Sequence, residues 1–243
     1  MSHCVWIGFD PREQIAFDVA VASLRLHSGY DPEVYAIDLR RLQEMGLYQR
    51  TTTRIDGQLW DIISDAPMST EFAISRFFVP ILCNGKYDWA VFLDCDMMFR
   101  APVEELLMLA DTRYAVQVVK HCHMPAAGLK MDGQQQTSYP RKNWSSVILW
   151  NLRHPANRAL TAMKLNTWTG RALHGFQWLE DEFIGELPPE WNHLVGVKAP
   201  NPDAKLVHFT LGIPAMDGYQ TCEHSAEWWN YARSQCPQPV QLN

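Results

Sequence analysis

The run Trp89-Ala90-Val91-Phe92-Leu93 constrains the fold more than any other segment of the chain. Consecutive apolar residues with no polar alternation leave no face for water, so the run fits a strand covered on both sides, in the middle of a largely parallel sheet. It stops abruptly at Asp94-Cys95-Asp96. Carboxylates just beyond the carboxyl end of such a strand sit where open α/β sheets place their ligands.

The flanking segments agree with that order. Val5-Trp6-Ile7-Gly8-Phe9 reads as a short buried strand running into Asp10-Pro11-Arg12-Glu13, where Asp at the N-cap, Pro at N1 and Glu at N3 predict a helix start. Ile15, Val19, Ala22 and Leu26 recur at helical spacing, and Gly29 with Pro32 stop the helix before a second strand, Val34-Tyr35-Ala36-Ile37. Residues 47–68 show no clean period and read as a long loop, a kind of segment that often serves binding. A second helix is predicted to open at Ser69 or Thr70 and to turn Phe72, Phe77, Ile81 and Leu82 inward, with Arg76 on a neighbouring face. It bends near Pro80 and ends at Gly85. Beyond the acidic triplet the pattern predicts a helix over 103–110, strands over 114–119 and 145–150 with a polar segment (120–143) between them, and a helix from Pro155. A late strand over 205–209 and a closing helix around Glu227-Trp228-Trp229 complete it. No linker, composition shift or repeat divides the 243 residues. The expectation is one α/β domain over 1–243 with a mostly parallel central sheet flanked by helices.

Composition narrows the function classes. Hydrophobic residues at 47% and charged residues at 20% provide for a real core, and a net charge of -6 argues against a protein whose main work is neutralising nucleic-acid phosphates. No basic stretch followed by an apolar one opens the chain, and no run approaches the roughly 18 apolar residues of a membrane span. The six cysteines (Cys4, Cys83, Cys95, Cys122, Cys222 and Cys236) form no C-x-x-C pair, which fits thiols in a reducing cytoplasm rather than a zinc ribbon or a disulfide scaffold. A cytoplasmic protein without a transmembrane segment is expected.

Asp94 and Asp96, spaced by one residue in extended chain, point to the same side and can share one cation or divide between cation and ribose. The alternative is a solvated acidic turn. Two carboxylates at the end of a buried strand repel each other, whereas a bound Mn²⁺ or Mg²⁺ removes the repulsion and presents positive charge to a diphosphate. His208, at the end of the late strand, would add an imidazole and so favour Mn²⁺ over Mg²⁺. As one of nine histidines it is alternatively a plain core or surface residue.

The ordered set Ile7-Gly8-Phe9-Asp10, Ser75-Arg76-Phe77, Phe92-Leu93-Asp94-Cys95-Asp96, Trp144-Ser145-Ser146-Val147, Leu187-Pro188-Pro189-Glu190-Trp191-Asn192 and His208-Phe209 resembles glycosyltransferase family 8 and related bacterial and viral GT-A enzymes, over nearly the whole chain. The resemblance implies a single GT-A (Rossmann-like) domain. It also implies transfer of a sugar from a nucleoside-diphosphate sugar, a UDP-sugar favoured, to an acceptor hydroxyl, with a divalent cation required and the anomeric configuration retained. By the same resemblance Phe9 and Asp10 line the base and Arg76 steadies the nucleotide or the triplet. Asp94, Asp96 and His208 are the metal set, and Asp94, Cys95 and Gly212 complete the nucleotide-sugar contacts. Asp10 has a competing role as a helix cap.

Two segments depart from the family. It has Asn-Ser-Gly where this chain has Trp144-Ser145-Ser146, and Asp-Gln-Asp where this chain reads Leu179-Glu180-Asp181-Glu182. Asp181, then Glu180, are the catalytic candidates there, hydrogen bonding to sugar hydroxyls, with a solvated acidic helix face as the alternative. The acceptor is left open among glycan, lipid, protein and modified nucleic acid, and so is the oligomeric state. A sugar nucleotidyltransferase would share sheet, nucleotide and metal but needs a Gly-rich loop with a basic residue, absent from Ile7-Gly8-Phe9-Asp10. A haloacid-dehalogenase-like phosphatase needs Thr or Val where Met98 stands. A catalytically inactive nucleotide-sugar-binding module is the rival from another class.

Overall fold

The apolar N-terminal run forms β1 (His3–Phe9), which hands the chain through a 3-10 turn, Pro11–Glu13, to α1 (Gln14–His27) and on to the parallel neighbour β2 (Val34–Asp38). We describe the chain from a computed structural model covering residues 2–121, 141 and 143–234. Cys122, Cys236, Lys142 and nearly all of the polar segment 120–143 lie outside the described residues.

After α2 (Leu39–Glu44) the chain forms β3 (Thr52–Ile55), β4 (Gln58–Asp61) and β5 (Ala66–Pro67), a small antiparallel sheet where the sequence predicts a loop. Its turn, Asp56-Gly57, has φ of 49° and 82°, the paired left-handed geometry that matches hairpin twist. Then follow α3 (Phe72–Ser75), a 3-10 turn Arg76–Phe78, and α4 (Val79–Cys83). Pro80 sits in the first turn of α4 rather than bending a longer helix. Neither Ser69 nor Thr70 caps α3; its N-cap is Glu71, whose backbone N–H donates to Asp10 Oδ2 at 3.0 Å. The rest of the chain gives β6 (Trp89–Leu93), β7 (Met97–Phe99), α5 (Val103–Leu107), β8 (Val116–Val118), β9 (Val147–Asn151), α6 (Ala162–Thr167), α7 (Gly170–His174), β10 (Ile184–Glu186), β11 (His193–Leu194), β12 (Leu206–His208) and α8 (Ser225–Arg233).

The main sheet has six strands in the order β10-β8-β9-β6-β1-β2. Only β9 runs against the others, pairing antiparallel with both β6 and β8, so the sheet is mostly parallel, with β6 in its interior and every residue of β6 buried. Helix α1 packs along β7 and α8. Its inner face runs through Phe17, Val19, Ala20 and Leu24, while Ile15 and Leu26 from the predicted stripe are exposed. Ser23 on the same face is buried and its Oγ accepts from the Phe99 amide at 3.0 Å, tying α1 to β7.

Two local features aim the chain at the carboxyl end of β6. A side chain at Gly8 would place its Cβ 2.4 Å from the Phe72 ring, so glycine there lets α3 lie directly on β1 and delivers Arg76 to the strand ends. After Leu93 the chain leaves the main sheet, and β7 joins a second one in the order β11-β12-β7. Asp94-Cys95-Asp96 is therefore the hinge segment between two sheets. Among the described residues no helix is long and apolar enough to cross a membrane.

Candidate active site

The pairing of β7 with β12 assembles the acidic triplet with a histidine more than a hundred residues away. His208 stands opposite Met97 in the antiparallel register, and the Phe209 amide donates to the Asp96 carbonyl at 3.0 Å. His208 Nε2 then lies 3.3 Å from Asp96 Oδ1. One ligand atom each from Asp94, Asp96 and His208 fall within 4.8 Å of one another.

The surroundings orient this set. Arg76 Nη1 lies 2.7 Å from Asp94 Oδ1 and donates to the Ser145 carbonyl at 2.9 Å, its guanidinium held between the Phe72 and Phe92 rings at 5.3 and 5.1 Å. His208 Nδ1 meets Asn192 Oδ1 at 2.9 Å, and Asn192 Nδ2 donates to Ser146 Oγ at 2.8 Å. An amide oxygen can only accept, so Nδ1 carries the proton and Nε2 is turned toward the carboxylates. Asp94 Oδ1 and Asp96 Oδ1 are buried and make no aligned hydrogen bond among the described residues. Each faces a cationic side chain instead, Asp94 Oδ1 facing Arg76 and Asp96 Oδ1 facing His208. Two such oxygens converging with an imidazole nitrogen are the donor set of a divalent cation, and the residues fit one.

Burial lifts the Asp94 carboxyl to about 7, with Arg76 pulling against it and Asp96 adding to it. Burial also pushes Asp96 upward, but His208 and Arg76 outweigh it and hold Asp96 below the usual range. Burial lowers His208 while Asp96 outweighs that and raises it. In the metal-free chain, then, His208 and Arg76 neutralise the two carboxylates. A cation held by these residues would take over that role and displace the His208 proton.

The set opens into a cavity of about 680 Å³, within the range of ligand pockets. Glu13, Arg76 and Thr210 share its wall with Asp94, Asp96 and His208, and Ser64, Asp65, Asn143, Ser145, Arg171 and His174 are among the other lining residues. Ser145 Oγ meets His174 Nδ1 at 2.6 Å. Burial, reinforced by Arg76, lowers His174 from 6.5 to about 3. A histidine kept neutral in the fold takes up its proton in the unfolded chain first, so its contribution weakens stability as pH falls from 6.5 toward 3. His174→Gln is expected to flatten the fall in urea midpoint between pH 6.5 and pH 4, and an unchanged slope would remove His174 as its source.

Other predicted site residues stand elsewhere. Asp10 is wholly buried and its carboxylate is consumed by Arg12 (backbone N and Nε to Oδ1, 3.0 Å each; Nη2 to Oδ2, 2.6 Å) and by the Glu71 amide. Burial pushes its pKa upward, but these donors outweigh it and hold Asp10 below the usual range. It caps two helical segments instead of lining the cavity. Phe9 packs edge-on against Phe17 at 5.3 Å and is not among the lining residues. Glu13 does not close a capping box; its Oε2 accepts from Cys95 Sγ at 3.0 Å. Burial, with Glu13 next, raises the Cys95 thiol well above its ordinary value, which makes Cys95 a protonated, buried donor. Gly212 packs under the Tyr219 ring, where a Cβ would meet Cδ2 and Cε2 at 2.5 Å, and it too is away from the cavity. Asp181 is largely exposed and paired with Arg141, and Glu180 is exposed beside it. Neither is among the described residues that line the cavity. The segment is a 3-10 turn with Asp181 and Glu182 exposed.

His174 and Asn143 carried no sequence signal that distinguished them. Asn192 stood inside a quoted motif, but its role needed the β11–β12 pairing to become visible.

No family model matches the chain. It is 41% identical over 231 residues to Protein CDI of Arabidopsis thaliana, an alignment covering 93% of this chain and 84% of that protein. Among solved structures it is similar to an active-site variant of LgtC, with a TM-score of 0.60 and 12% identity over 94% of both chains. It is also similar to the glycosyltransferase GlyE of Streptococcus pneumoniae, with a TM-score of 0.62 and 15% identity. The bifunctional glycosyltransferase WbbM gives 0.61 at 15% identity. This chain is covered to 96% in the last two, but spans only 61% of GlyE and 50% of WbbM.

Proposed function

We propose a function for a chain that belongs to the same family as Protein CDI of Arabidopsis thaliana and has the GT-A fold: it transfers a sugar from a nucleoside-diphosphate sugar, a UDP-sugar favoured, to an acceptor hydroxyl. One observation carries the reading. At the carboxyl end of β6, two buried carboxylate oxygens without aligned hydrogen bonds converge with His208 at the wall of a nucleotide-sized cavity. GlyE and WbbM are glycosyltransferases by name, and LgtC is named a galactosyltransferase.

Asp94, Asp96 and His208 would hold the cation, and the mixed oxygen and nitrogen set favours Mn²⁺ over Mg²⁺. When bound, it supplies positive charge to the diphosphate as the anomeric bond breaks. The chain's own residues do the rest. Arg76 fixes the angle of Asp94, and Asn192 fixes the tautomer of His208. His174 stays neutral and, through Ser145, offers a hydrogen-bonding edge rather than a charge. Asp181 and Glu180 stay the catalytic candidates carried from the sequence, and Asp65, Asn143 and Arg171, among the polar residues lining the cavity, are further groups for contact with the sugars.

Membership of family 8, retention of configuration and a single domain over 1–243 are carried in this proposal from the sequence resemblance. The acceptor stays a hydroxyl of unstated class. A reducing, cytoplasmic setting is included from the scatter of the six cysteines, which form no C-x-x-C pair. Thermal melting against a panel of nucleotide-sugars, with and without Mn²⁺, is the direct test. A UDP-sugar should raise the Tm only when Mn²⁺ is present. Stabilisation by none of the panel would overturn the donor class. Metal-dependent binding without transfer or hydrolysis would favour the inactive binding module.

A further inference from the structure

A second cluster of ligand-type side chains lies outside the cavity. His193 opens β11, while Glu223 and His224 are the two residues before α8. One ligand atom of each falls within 4.8 Å of the others, and none of the three lines the cavity. We propose that His193, Glu223 and His224 form a second divalent-cation site, of the Zn²⁺ type, that pins the start of α8 to β11.

The geometry sets a cation against the plain alternative, a His–Glu–His hydrogen-bond chain. His193 Nε2 meets Glu223 Oε2 at 2.9 Å, and that half of the chain is satisfied without metal. The other half is not. His224 Nε2 faces Glu223 Oε1 at 3.2 Å, yet it is buried and makes no aligned hydrogen bond among the described residues. Glu223 Oε1 already accepts from the Asn201 amide at 2.8 Å. The two imidazole rings stand at 90° with centroids 6.2 Å apart, so each presents its Nε2 edge to the same carboxylate from a different direction. A buried nitrogen with no proton acceptor aligned is costly as a donor and well placed as a lone pair.

The donor set decides the ion. Two imidazoles and one carboxylate, with a fourth position left for water, are a zinc set, whereas two carboxylates and one imidazole at Asp94, Asp96 and His208 suit Mn²⁺. Behind His224, Glu227 Oε2 lies 3.7 Å from Nδ1 and is held by Arg100 Nε at 2.9 Å. A carboxylate facing the far nitrogen is the usual support of a metal-bound histidine. The consequence reaches the first site by adjacency. Asn192, which orients His208, precedes His193 in the chain, so a cation that fixes β11 also fixes that support.

The test uses the full chain carrying Asp96→Ala, so that zinc at the first site does not confuse the count. After treatment with a chelator, it is titrated with Zn²⁺ against a chromophoric competitor and, separately, with Mn²⁺. One zinc per chain should bind, with a rise in Tm, and Mn²⁺ should not replace it. Adding His224→Asn, a residue that tolerates the left-handed backbone at φ 62°, or Glu223→Gln should each weaken zinc more than about tenfold. Absence of zinc binding in the Asp96→Ala chain overturns the site. So does zinc binding undiminished in whichever of the two further variants folds. Neither outcome depends on glycosyl transfer.

Discussion

Asp96→Ala is expected to abolish Mn²⁺-dependent binding of a UDP-sugar while the chain stays folded. The two halves of that result have separate causes. The carboxylate is one of the three proposed ligands and 24% of its side-chain surface is open, so a cation can reach it, and its loss would leave two ligands where an open catalytic site needs three. The backbone does not depend on it. The β7–β12 register is closed through the Asp96 carbonyl, which accepts from the Phe209 amide, and alanine keeps that bond. Removing the side chain also relieves its repulsion of Asp94. His208 loses its carboxylate partner but can shed its proton and stay buried and neutral, so the change in stability should stay modest. Calorimetric titration of a UDP-sugar with and without Mn²⁺, beside a thermal melt, reads both halves. Mn²⁺-dependent binding that survives in the folded variant would remove Asp96 from the metal set.

How far the site was readable in the sequence differs residue by residue. β6 and the acidic triplet were plain because a strand buried on both faces has no competing pattern, and because the end of such a strand is a fixed place in an α/β sheet. His208 was legible only as one candidate among nine histidines. What singles it out is the antiparallel pairing of β12 with β7, a contact between segments more than a hundred residues apart that no local pattern encodes. Asp10 was half legible. Its cap on the Pro11–Glu13 turn follows from neighbouring residues, whereas its bond to the Glu71 amide crosses 61 positions. The small sheet β3-β4-β5 was missed because β3 is mostly exposed and so shows no alternation. The Asp56-Gly57 turn was its one usable signal. Asp181 is hard to read for a different reason. An acidic residue reads the same whether it faces a sugar or, as here, water and Arg141.

That missed hairpin leads to the largest expected loss of stability. Arg50 and Asp61 form an ion pair with side chains 0% and 1% exposed, made by Nη2 to Oδ2 and by Nε to Oδ1, the latter at 3.0 Å. Arg50 Nη1 also donates to the Leu165 and Trp168 carbonyls at 2.8 and 2.7 Å, so the pair fastens β4 to the end of α6. Asp61→Ala leaves the guanidinium buried without its carboxylate, and breaking a buried pair from one side costs about 3–5 kcal/mol. Replacing both partners with apolar residues, Arg50→Met with Asp61→Leu, removes the orphaned charge and should recover most of that loss. Function should not recover with it. Asp61 Oδ2 also accepts from the Ser64 amide at 2.9 Å and from its hydroxyl, and Ser64 Oγ in turn accepts from the Gly170 amide at 2.7 Å. Ser64, Asp65 and Gly170 all line the cavity, so the apolar pair keeps the fold and loses the acceptor that shapes this wall. Urea unfolding should show Asp61→Ala far below the parent chain and the double variant near it, while UDP-sugar binding stays weakened in both. A single-variant loss under about 1 kcal/mol would show that water or rearrangement already satisfies Arg50, and that the wall is held by something other than this pair.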